Sequence, residues 1–277
     1  MRLKLILGAG ALAWMSATSP GLAADIPAAP VVQAPVKAPG YNWYGFYIGV
    51  HGGYGWGRQA VNFAPDPLYL PAYAAGATPF SAAGNPKGFI GGVQWGSNWQ
   101  FDRVVLGTES DFSYTDIKAS QTTTGTFGGQ TFSDTATQRL KWFGTTRVRG
   151  GFLVADNVLL YATGGLASGT AESSATNTVT SAAGCTIPGN CPFGSASKNL
   201  WGWAAGGGVE YGEGPWQFRA EYLHYDLGTL SYNLRDPLAP FNVIATSTRF
   251  AGDIVRGGIS YRFNWTPLGL IFGTDHM

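Results

Sequence analysis

Ten ionisable residues recur at spacings that could bring their charges together: Glu109 and Asp111, Lys141, Arg147 and Arg149, Glu210, Arg219 and Glu221, and Arg256 and Arg262. In an extended chain residues two apart point to the same side, so 109 and 111, 147 and 149, and 219 and 221 each fall on one face. Carboxylates and guanidiniums gathered from several strands would form a charge network. Such charges must be paired or hydrated, because desolvating them is expensive. The mixture of signs suits a structural network, and the alternative is the lining of a small polar passage.

Other residues that could do chemistry are sparse. Cys185 and Cys191 flank a Pro-Gly turn in CTIPGNC, and in an oxidising compartment they are expected to form a loop disulfide; spacing alone leaves two free thiols as the alternative. His51, His224 and His276 are isolated from one another, so no histidine metal centre and no cofactor are expected. A lipid hydrolase would need Ser113 or Ser168 beside His51 or His224 as base. Nothing in the sequence marks a nucleophile elbow, and no enzyme is expected. The glycine groups at 91–92, 164–165 and 206–208 lack the following helix and Lys-Ser/Thr pair of a phosphate loop, and read as strand glycines.

The elements that would hold these residues have a period of two. In RFAGDIVRGGISYRF, Arg249 to Phe263, Val255, Gly257, Ile259, Tyr261 and Phe263 share one face, and Arg256, Gly258, Ser260 and Arg262 share the other. An apolar face that wide, opposite a polar one, suits a strand crossing a membrane with its apolar side to lipid. Comparable segments run at 42–56, 87–99, 103–116, 138–154, 157–168, 199–210 and 216–230, eight crossings in all. Short junctions such as 155–156 and 211–215 alternate with long stretches at 58–86, 117–137, 169–198 and 231–248 rich in Thr, Ser, Ala, Gly and Pro. The expected fold is all-β: an eight-stranded antiparallel transmembrane β-barrel with short periplasmic turns and four long extracellular loops. A soluble sandwich or lipocalin-like barrel is the rival. Trp43, Tyr44, Trp95, Trp99, Trp142, Trp201, Trp203, Trp216 and Tyr261 stand near strand ends or outward, as interface anchors do.

Composition agrees. The chain has 41 Gly, 16 Phe, 13 Tyr and 10 Trp but few charges, as a girdled membrane wall would. Residues 1–23 read as a secretory signal peptide, with Arg2 and Lys4 ahead of an apolar stretch and small residues before Ala24. Without those two cations, 15 basic residues face 16 acidic ones, so no attraction to nucleic acid is expected. Residues 24–41, with Pro27, Pro30, Pro35 and Pro39, read as a periplasmic linker, 42–265 as the barrel and 266–277 as a carboxy-terminal extension.

The segment WYGFYIGVHGGYGWG at Trp43 to Gly57, the runs FIGG at 89–92, TESDF at 108–112, Arg147 to Gly151 and AEY at 220–222, and the terminal VRGGISYRF together resemble a family. It is the small alphaproteobacterial outer-membrane protein family of surface antigens and haemin-binding proteins, whose members often carry a porin label. The resemblance implies an OmpA-like barrel in the cell outer membrane of a Gram-negative bacterium, with a structural role in envelope integrity and surface contact. Alternatives are a small-solute porin, or a surface protein binding haemin or a host ligand. The implied partners are outer-membrane lipids and lipopolysaccharide, the barrel-assembly machinery and a host or extracellular ligand, with the protein a monomer or weak homo-oligomer. Chains of this family usually end on an aromatic equivalent to Phe263, whereas this one continues through NWTPLGLIFGTDHM.

Overall fold

The protein is described here from a computed structural model, covering residues 40–180 and 184–265. The expected signal peptide, the linker up to residue 39 and the extension from 266 lie outside the described residues. Ten β-strands follow in chain order: β1 (Gly45–Trp56), β2 (Gln59–Pro65), β3 (Ser81–Gly84), β4 (Lys87–Phe101), β5 (Val104–Phe127), β6 (Gln130–Ala155), β7 (Val158–Thr180), β8 (Phe193–Glu213), β9 (Trp216–Asp236) and β10 (Ala239–Arg262). A single-turn helix α1 (Leu70–Ala74) lies between β2 and β3. The strands make one antiparallel sheet in the order β1-β4-β5-β6-β7-β8-β9-β10-β2-β3, and a β1–β10 pairing makes it ring-like.

Short turns at one end join β4 to β5 through 102–103, β6 to β7 through 156–157 and β8 to β9 through 214–215. Asp102 (φ 52°) and Gly214 (φ 57°) take left-handed backbone in two of them, a conformation that glycine and aspartate tolerate best.

The expected eight-stranded barrel with four long loops is corrected to this ten-stranded ring-like sheet. Two physical reasons account for the difference. First, β1 covers only the turn-side half of β10, from Asp253 to Arg262, which leaves the upper edge of β10 open. Unpaired backbone groups on that edge would be costly, and Gln59–Pro65 fills it by pairing Val61 to Pro65 with Thr248 to Ile244; β3 then pairs with β2. Both strands come from a stretch expected to be loop.

Second, the other long stretches are largely strand. β5 and β6 stay paired, across one register shift between Tyr114 and Ile117, as far as Phe127 and Gln130, where Gly128 and Gly129 (φ 59° and 76°) close the hairpin. Positive φ at both central residues is the turn whose twist matches paired strands. Alternating Thr and Ser therefore mark strand faced by water rather than loop.

Candidate functional site

The interior is filled in layers, and the strands run through them in one order. Nearest the short turns, Trp43, Val105, Leu153, Leu159 and Tyr161 form an apolar floor. Trp43 is wholly buried there, so its expected place in an interface girdle is corrected: it plugs the ring from below.

Above the floor lie four arginines and four carboxylates, set by register. Glu109 of β5 stands opposite Arg147 of β6, Glu210 of β8 opposite Arg219 of β9, and Glu221 of β9 opposite Arg256 of β10. Acid facing base across a strand pair is favourable, and here the pairs join around the ring. Arg147 reaches Glu109 at 2.7 Å, Asp111 at 3.2 Å and Glu221 at 3.0 Å. Arg256 reaches Glu221 at 2.7 Å and Asp111 at 3.0 Å. Arg219 pairs with Glu109 and, at 2.8 Å, with Glu210. Arg149 completes the set with Glu210 at 2.7 Å.

Neutral side chains add hydrogen bonds to these charges. Tyr47 donates its hydroxyl to Glu109 and accepts from Arg149, Thr145 donates to Asp111 at 2.6 Å, and Tyr161 donates to Glu221 at 2.9 Å while Arg149 lies 4.1 Å over its ring. Gly208 leaves room for this: a Cβ there would sit 2.8 Å from the Tyr161 hydroxyl. These pairs and hydrogen bonds offset the cost of burying the charges, although Asp111 Oδ1 and Arg149 Nε have no hydrogen-bond partner.

Two members of the expected set stand apart from it. Lys141 lies on the outer surface, 2.6 Å from Glu172. A register shift between Leu140 and Phe143 inserts an extra residue in β6, so the inward parity changes from even above the shift to odd below it. Arg262 lies at the turn end, where it donates to Tyr41, the Tyr44 carbonyl and Asn264.

The structure also joins residues that the sequence left separate. His51 Nε2 is 2.8 Å from Ser113 Oγ, yet both are buried in the ring and Arg256 Nη1 lies 3.4 Å from the same nitrogen. Ser113, at 0% exposure, is closed to substrate, and the pair belongs to the network. The second histidine, His224, faces outward with Asp253 and Tyr222. Cys185 and Cys191 are bonded to one another, with Cα atoms 5.4 Å apart.

Over the charges the interior turns apolar. Phe143, Leu223, Tyr225, Phe250 and Ile254, each exposed by 1% or less, belong to one cluster with Ile117, Leu140 and Leu227. This layer escaped the sequence reading, although the same parity that placed Glu221 and Arg256 inside places Leu223 and Ile254 there. Higher still, β2 and α1 add Val61, Phe63, Tyr69 and Tyr73 to Ala136, Ala175, Leu234 and Ile244. Burial there pushes the Tyr73 hydroxyl well above the ordinary phenol range, and the nearby Asp134 adds to the effect.

The outer wall around the charged layer is the reverse of the inside. Val148, Phe152, Leu160 and Leu166 are half exposed or more. A closed-on-itself strand wall that is apolar outside and charged within defines an integral protein of a strand-spanned membrane. The comparisons with known proteins agree. The outer membrane protein beta-barrel domain family matches residues 26–263, and the chain belongs to that family. It is 34% identical over 264 residues to the 31 kDa outer-membrane immunogenic protein of Brucella melitensis, covering 91% of this chain and 97% of that one. The 25 kDa outer-membrane immunogenic protein of Brucella abortus is 28% identical, covering 94% and 98%, and the 22 kDa outer membrane protein of Rhizobium leguminosarum 29% identical, covering 73% and 72%. The protein is a structural component of the Gram-negative cell outer membrane.

Proposed function

We propose that this protein is a sealed part of the outer-membrane wall, conducting no solute and acting through its hold on the bilayer and the contacts of its projecting end. The layered filling carries this reading. A small-solute porin needs a continuous wet path, but the eight paired charges lie between the Trp43 floor and the Phe143–Ile254 layer, both built mainly of buried apolar side chains. The charge network then serves to hold the ring closed.

Surface contact falls to the end opposite the short turns. About 9–11 residues of a tilted strand cross a bilayer, whereas β5 and β6 have 24 and 26, so their far halves stand outside the hydrocarbon. Phe241 is 95% exposed near the β9–β10 tip. Beside it, Cys185, Cys191, Phe193, Asp236, Pro237 and Leu238 border an open, mostly apolar hollow of about 610 Å³, which suits contact with a host or extracellular ligand. The description of the Brucella relatives as immunogenic supports outward display of this end. The barrel-assembly machinery would insert the chain, and a monomer suffices for every contact described.

Single-channel recording of the folded protein in a planar bilayer, with the heat-unfolded protein as control, tests the sealed reading. A silent, inserted protein is expected; reproducible current steps that vanish on unfolding would establish a pore instead.

A further inference from the structure

We propose that residues 66–80, with α1 at their centre, form a lid over the projecting end that a protonated Asp134 holds shut and an ionised Asp134 loosens, an inference resting on the reading that this end stands in water outside the bilayer. The lid is tied down by side chains rather than by backbone. At its two ends Phe63 donates to the Phe80 carbonyl and Asp66 to that of Val243. Between them, among the described residues, every backbone–backbone hydrogen bond stays inside the segment, from Tyr69 N–H on the Asp66 carbonyl to Ala77 N–H on that of Ala72. Tyr69, Tyr73, Ala77 and Thr78 are instead sunk into the interior, each exposed by 8% or less. Gly76 leaves α1 in left-handed backbone (φ 76°) with open space around it. A segment held by a few buried side chains opens at lower cost than the paired wall it sits in.

Under the lid, Asp134 of β6 is 4% exposed. Its Oδ1 accepts from Asn177 of β7 at 2.5 Å, and its Oδ2 has no hydrogen-bond partner. The groups around it bring no positive charge. The lid contributes Tyr73 and Thr78, β5 contributes Thr123 as register partner, and β2, β6, β7, β9 and β10 contribute Phe63, Ala136, Ala175, Leu234 and Ile244 to the same layer. Two further carboxylates, Asp66 and Asp236, act on Tyr69. They are satisfied by backbone N–H groups, Asp66 by Leu68 and Val243 and Asp236 by Cys191 and Leu238. A buried charge without a counter-ion is costly, and burial pushes the Asp134 carboxyl up to about 7 against the smaller opposing pull of the Asn177 hydrogen bond. The Tyr69 and Tyr73 hydroxyls are pushed up as well, which leaves Asp134 to titrate near neutrality. The closed lid therefore binds a proton that the open one gives up. Its stability is greatest in acid, falls as pH rises from the ordinary 3.8 of the carboxyl toward about 7, and levels off above. Opening uncovers Val61, Phe63 and Tyr73, while the Phe143–Ile254 layer beneath keeps the ring sealed.

The test is hydrogen exchange of the full chain, folded in detergent, read by mass spectrometry and corrected for the intrinsic pH dependence of amide exchange. Protection of residues 67–79 is expected to fall by about 30-fold from about pH 5.5 to about pH 8, most of it below about pH 7, while the turn-side halves of β5 and β6 keep theirs. Asp134→Asn should abolish the fall and keep the lid closed at both ends of the range. Asn177→Leu, which removes the donor to the carboxylate, should deepen the fall and carry it to higher pH. Wild-type protection that ignores pH, or a full fall retained in D134N, would overturn the proposal. So would a fall shared equally by the turn-side strands, which marks loss of the whole fold. If D134N does not fold, the wild-type profile and Asn177→Leu decide. A wild-type chain that fails to insert into vesicles counts against the outer-membrane reading, and one that inserts but keeps a pH-independent lid counts against this device.

Discussion

The two halves of the ring are built on opposite rules. In the turn-side half, Val148, Phe152 and Leu160 face out while Arg147, Arg149 and Glu210 face in. In the projecting half, Ala136, Ala175, Leu234 and Ile244 face in, while hydroxyl ladders such as Ser120 to Thr137 and Thr122 to Thr135 face out. The upper half obeys the rule of soluble proteins, with apolar groups leaving water. The lower half follows from hydrocarbon on its outside, where burial of apolar surface gains nothing from the interior and polar pairing must hold the centre. The same strands cross from one regime to the other, and the β6 register shift at 140–143 lies near the crossing.

The largest break in this contrast is Arg147→Ala, which leaves Glu109, Asp111 and Glu221 with less than their full complement of partners. Loss of one member of a buried ion network costs about 3–5 kcal/mol, read as a fall in the urea midpoint of the protein refolded in vesicles. A midpoint equal to wild type would mean that the charges do not hold the ring. Next comes Ile259→Arg on the lipid side of β10, expected to impair insertion by about 2–4 kcal/mol at the bilayer midplane; normal folding into vesicles would place Ile259 elsewhere. The smallest effect sharpens the comparison from above. Thr135→Val, on the watered face of the projecting half, should change stability by about 0.5 kcal/mol or less, and a large gain in vesicle-bound stability would put that face in lipid.

Much of this was legible from parity. The alternation around Val255 to Phe263 and the paired charges at 109, 111, 147, 149, 219 and 221 give inward and outward faces directly, since side chains of a strand alternate without exception until a bulge intervenes. Lys141 was misplaced because one extra residue in β6 reverses every face beyond it, and no composition signal accompanies such a shift. Strand number failed for a different reason. Thr- and Ser-rich stretches look like loop by composition, yet β-branched threonine suits a pleated surface, and the pairing of Gln59–Pro65 is fixed by an open edge on β10 that only the three-dimensional closure creates. The Ser113–His51 contact likewise depends on which strands become neighbours around the ring.

The margin of the sheet at β3 has a consequence for how copies live together. It is only four residues long, Ser81–Gly84, and brevity is one way natural sheets deny a foreign chain a template. Copies can therefore crowd shoulder to shoulder in one membrane without their sheets fusing through that margin.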